Sequence, residues 1–76
     1  MTADDLQRIG EGLYGPNWQG PLATALDVNI TTMRRWARGG QLIPTRVAAD
    51  VVRLIAVRRD QISALLTEMA ASEERI

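Results

Sequence analysis

Residues 19–38, QGPLATALDVNITTMRRWAR, decide the reading of this chain. Trp18, Leu22 and Leu26 recur every fourth residue with Ala23 beside them, which makes one face of a short helix. Pro21 is comfortable only in a helix's first turn, so the start of this helix lies between Trp18 and Gly20. Asp27-Val28-Asn29 is a tight turn. Aspartate tolerates the left-handed backbone that helix ends often adopt, and Asn29 is a good N-cap for a second helix. That helix spans residues 30–38 and is closed by Gly39-Gly40.

Two short helices joined by a three-residue turn are the organisation of a helix-turn-helix, here over residues 18–38. Leu22, Ala23, Leu26, Val28, Met33 and Trp36 are apolar where the two helices must pack. At 100° per residue, Ile30, Trp36 and Ala37 fall within about 60° of Met33, on the inner face. Thr31, Arg34, Arg35 and Arg38 fall about 100–200° away, on an outer face that holds no acid.

The stretch WQGPLATALDVNITTMRRWARGGQLIP (residues 18–44) resembles the helix-turn-helix of lambda-repressor-like regulators of the Cro and Xre type. It is especially similar to small phage and bacterial versions such as anti-CRISPR-associated repressors. The chain departs from that pattern at Asp27, where glycine is usual, at Met33, where valine or isoleucine is usual, and at Pro21. The resemblance implies a dimeric transcriptional repressor or autoregulator that binds double-stranded DNA at an inverted repeat. It implies base contacts from Thr31, Arg34, Arg35 and Arg38, arginine being suited to guanine O6 and N7. It also implies phosphate contacts from Gln19 and Asn29 at helix starts, with Arg46 a further one.

Upstream, Thr2 and Asp5 resemble a capping box, and Leu6, Ile9 and Leu13 mark a first helix over residues 3–13. Gly10 lies on that apolar stripe, where a missing side chain lets another helix approach closely. Gly15-Pro16-Asn17 ends the helix. Downstream, Val47, Val51, Leu54, Ile55, Ile62, Leu65, Leu66 and Met69 mark a long amphipathic helix over residues 45–71, roughly 40 Å long. A break at Arg58-Arg59-Asp60, with Asp60 as a new cap, is the competing reading. Ala48, Val51, Ile55, Arg58, Ile62, Leu65 and Met69 alternate three- and four-residue steps, the spacing of a heptad seam. No other segment is left to cover the far half, so Ile55, Arg58, Ile62, Leu65, Leu66 and Met69 are expected at a homodimer interface. Arg58 is the discordant member and favours antiparallel or crossing helices over a parallel coil. Arg58 and Arg59 are also expected to meet acids across a helix interface.

The fold class is therefore all-α: a single domain over 1–76, about four helices, the last one long. Seventy-six residues bury too little surface for an ample core, which itself favours self-association. Cysteine and histidine are absent, which removes disulfides and the commonest metal ligands and general base. No phosphate-cradling glycine loop or paired carboxylates appear, so the reading is of a non-enzyme with no cofactor, metal or small-molecule ligand. No run is long and apolar enough for a membrane helix, and the opening MTADDLQR is unlike a secretory signal. The expected location is the bacterial cytoplasm or nucleoid.

Formal net charge is zero, yet the charges are segregated, and every basic residue is arginine. Residues 28–59 carry seven arginines against Asp50 alone, a net of +6. The flanks, 1–27 with Arg8 against Asp4, Asp5, Glu11 and Asp27, and 60–76 with Arg75 against Asp60, Glu68, Glu73 and Glu74, each sum to −3. One basic face suits a polyanion. The competing class is a helical protein–protein interaction module or antitoxin-like adaptor, in which the arginines meet an acidic partner. Repression rests on size: occluding a promoter needs no second domain.

Overall fold

The stretches with helical apolar spacing become four helices in the computed structural model, which describes residues 1–74. They are α1 (Ala3–Tyr14), α2 (Gln19–Leu26), α3 (Ile30–Ala37) and α4 (Thr45–Glu74), and no strand occurs among the described residues. No helix of these residues is long and apolar enough to cross a membrane.

Helix α1 opens on the expected capping box. The Asp5 amide donates to Thr2 Oγ1 at 3.0 Å, and the Thr2 amide donates to Asp5 Oδ2 at 3.1 Å. The hydrogen bonds from the Thr2 backbone and side chain hold the Asp5 carboxyl below its ordinary range. Gly10 is buried, and the neighbour it admits is a side chain rather than a second helix backbone. A Cβ at Gly10 would lie 2.8 Å from Cγ of Trp18 and nearer still to Cδ2 and Cε3 of the indole. Trp18 thus lies against the bare backbone of α1, 4% exposed.

Helix α2 starts at Gln19, which puts Pro21 in its first turn. The first intrahelical acceptor there, the Trp18 carbonyl, is used by the Leu22 amide at 2.9 Å. Proline's missing N–H would have had no partner at this position anyway, so Pro21 does not disrupt the helix. Two hydrogen bonds shape the α2–α3 turn. The Val28 amide donates to the Ala23 carbonyl at 2.9 Å and the Asp27 amide to the Thr24 carbonyl at 3.2 Å. This is a Schellman closure, with Asp27 left-handed at φ 55° and ψ 47°. Asn29 caps α3 by accepting from the Thr31 amide at 2.7 Å. At the other end, the Gly40 amide donates to the Arg35 carbonyl at 2.9 Å and the Gly39 amide to the Trp36 carbonyl at 3.1 Å, with Gly39 at φ 74°. The helix proper therefore stops at Ala37, and Arg38 is its C-cap rather than its last turn.

The core is one cluster drawn from every helix: Leu6, Trp18, Leu22, Ala23, Met33, Trp36, Val47 and Val51. Ile9, Leu26, Val28, Ile30, Ile43 and Leu54 pack around it. Helix α4 is continuous through Arg58-Arg59-Asp60 and runs three residues beyond the expected end. Its first turns supply Val47 and Val51 to the core, whereas every residue from Arg59 to Glu73 is exposed. The molecule is accordingly elongated, 53 × 22 × 20 Å with a radius of gyration of 15.3 Å. A compact chain of this length would have a radius near ~11 Å.

Two substitutions test this packing in opposite directions. Gly10→Ala gains about 1 kcal/mol of helix propensity but forces a methyl into the Trp18 ring, and overpacking of that kind costs about 1–3 kcal/mol. Because Trp18 is itself enclosed, the clash is expected to win, and thermal unfolding should show a lower Tm. Asp27→Gly removes a side chain from the left-handed region, where L-residues carry about 1–2 kcal/mol of strain. Part of that gain returns as unfolded-state entropy, so a Tm rise of a few degrees is the expected outcome.

Candidate nucleic-acid interface

The outer face of α3 is set by what its inner face buries. Met33 is fully enclosed and Trp36 is 4% exposed. The Trp36 indole Nε1 is buried with no hydrogen-bond partner among the described residues, so there the ring contributes to the core by its volume. With those two side chains anchored, the helical repeat turns Thr31, Arg34, Arg35 and Arg38 to the surface, and all four are exposed. Helix α3 contains no acidic residue. The ion pairs among the described residues, Arg53 with Asp50 at 3.4 Å and Arg59 with Asp60 at 3.1 Å, lie on α4 and engage none of the α3 arginines.

Gln19 is half-buried at the first position of α2. It shares with Arg34 a shallow cleft of about 430 Å³, also lined by Pro16, Asn17, Gly20 and Ile30. Trp18, the N-cap residue, offers no side-chain cap to α2. The partial positive charge of that helix start therefore borders the same cleft as the Arg34 guanidinium. Such a pairing suits an anion, because backbone amides and a guanidinium both donate to phosphate oxygens. The sequence pattern assigns Gln19 and Arg34 different roles and gives none to Asn17 or Gly20. Only folding brings the α1–α2 loop beside α3.

Asn29 is exposed. Its Oδ1 is occupied by the Thr31 amide, which leaves the side-chain NH2 as the group able to donate outward. Arg46 is exposed in the first turn of α4, across the loop from Arg38.

The six positions expected at a dimer seam divide. Ile55, Ile62, Leu65, Leu66 and Met69 are exposed, with Leu66 at 70%. Arg58 is half-buried, its guanidinium carbon 5.4 Å from the centroid of the Tyr14 ring, a cation–π contact. Val51, on the same heptad register, faces the core of its own chain. Within the chain, Arg59 pairs with its neighbour Asp60 and Arg58 lies over an aromatic face, so neither meets an acid of another helix of its own chain among the described residues.

Comparison with protein-family models, with curated proteins and with solved structures finds no match for this chain.

Proposed function

We propose that this chain is a sequence-specific, double-stranded DNA-binding transcriptional regulator, acting as a dimeric repressor or autoregulator at an inverted repeat. The observation that carries the reading is the α3 surface: three exposed arginines and a threonine, with no acid on the helix and no ion pair to them among the described residues. Unpaired arginines at that density repel one another, and a polyanion relieves the repulsion. In this reading α3 enters the major groove, with Arg34 and Arg35 presented to guanine edges and Thr31 and Arg38 at its two ends. Gln19, Asn29 and Arg46 hold the phosphate backbone and set the register without reading sequence. That Gln19 and Arg34 line one cleft supports a phosphate contact beside a base contact in this reading.

Selection from a random duplex library at about 0.15 M salt tests the reading. Enrichment of an inverted repeat is expected. Arg34→Ala and Arg35→Ala should each weaken the selected site by about 1–3 kcal/mol and relax preference at one base pair. A folded protein that enriches no sequence defeats the proposal and turns the arginine face towards an acidic protein partner. Asn29→Asp separates the helix cap from the phosphate contact. Aspartate caps as well as asparagine but replaces the donor NH2 with a negative oxygen. Thermal stability should hold while affinity for DNA falls for all sequences alike.

A further inference from the structure

Past Arg58, helix α4 carries Ile62, Leu65, Leu66 and Met69 at 52–70% exposure, and nothing among the described residues packs on them. Together with Ile55, Arg58 and Glu73 they fall within an arc of about 100° on the helix. The order of residues along this stripe is symmetric about the peptide bond joining Leu65 to Leu66. Ile62 and Met69 are equidistant from that point, and so are Arg58 and Glu73. Net charge changes sign across it: Arg53, Arg58 and Arg59 outnumber Asp60 on the near side, and Glu68, Glu73 and Glu74 outnumber Arg75 on the far side.

We propose that a second copy of this chain covers the stripe, running antiparallel, with a twofold axis at the Leu65–Leu66 bond. The proposal gives an orientation to the dimer proposed above and rests on it. A twofold axis at this point sets apolar side chains against apolar ones and Arg58 against Glu73, so the stripe is complementary to a second copy of itself, a condition that an unrelated partner helix would not impose. Ile62 then meets the partner's Met69, Leu65 meets the partner's Leu66, and Arg58 reaches the partner's Glu73. A parallel pair would instead set Arg58 beside the partner's Arg58 and Glu73 beside the partner's Glu73, like charges at a desolvated seam.

Tyr14 fits this arrangement. Its ring holds the Arg58 guanidinium at 5.4 Å, at the border of head and stripe, through the π face alone. The N–H donors at the guanidinium edge remain available for a carboxylate. Val51, the last core residue on α4, lies about 22 Å along the helix from the proposed axis. The two heads thus sit at opposite ends of the pair, with the two Val51 positions about 44 Å apart along its axis.

Because the chain has no cysteine, introduced thiols report orientation directly. Ile62→Cys and Met69→Cys are prepared separately, then oxidised alone and as an equal mixture. In the antiparallel pair, identical positions are offset by seven residues, about 10 Å along the axis, beyond the reach of a disulfide at about 7 Å between Cα atoms. Position 62 is expected to link to position 69 in the mixture, and neither variant to itself. Self-linked products at both positions, without the mixed one, overturn the proposal in favour of a parallel pair, and absence of any link overturns it outright. Sedimentation equilibrium supplies an independent readout. Glu73→Arg should weaken dimerisation about tenfold, and Arg58→Glu/Glu73→Arg should recover most of that loss. A wild-type chain that stays monomeric at tens of micromolar also defeats the proposal. Its affinity for a half-site, measured on the same sample, then decides separately whether α3 reads DNA.

Discussion

Anchoring of Met33 and Trp36 in the core is the constraint on which the rest of the molecule depends. Helix α3 is eight residues long, well below the length at which an isolated helix is stable in water. Its rotation about its own axis is set by which side chains it can bury, and it has two large ones a single turn apart. Once Met33 is fully enclosed and Trp36 nearly so, the arginines have no freedom to face elsewhere. Four helices contribute to the cluster that receives these side chains, so the arginine face depends on the whole head and not on α3 alone.

The cluster closes because the connections are short and each has a local device. Trp18 fits against α1 through the missing side chain of Gly10. Asp27 accepts a left-handed backbone so that α3 begins soon after α2 ends. Gly39 does the same after α3, and the loop then returns through the half-buried Ile43 to α4. Each device lets apolar side chains separated in sequence meet within a head of few residues, where little surface is available for burial.

Helix α4 joins two environments with one continuous backbone. Its first turns belong to the head through Val47, Val51 and Leu54. Its remainder projects beyond it with a stripe of large apolar side chains in the open, and Arg58 over Tyr14 marks the boundary. Side chains of that size yield about 1.5–3 kcal/mol each when fully buried, several times what the surface ion pairs on the same helix contribute. The charges of α4 accordingly bear on which way a covering helix runs, and the apolar side chains on how firmly it is held.

The sequence by itself determined the four helices, the capping box at Thr2 and Asp5, the cap at Asn29, the stop at Gly39-Gly40, and the inner and outer faces of α3. All of these depend on residues within about one helical turn of each other, where propensity and periodicity act directly. The tertiary structure decided what depends on residues far apart in the chain. It placed the Trp18 ring, not a helix backbone, against Gly10. It put Gln19 and Arg34 on one cleft and took Arg58 to Tyr14. It also sent Val51, on the same heptad register as Ile55, into the core of its own chain. A heptad register states which residues share a helix face; only the packed head states where along α4 that face ceases to be covered.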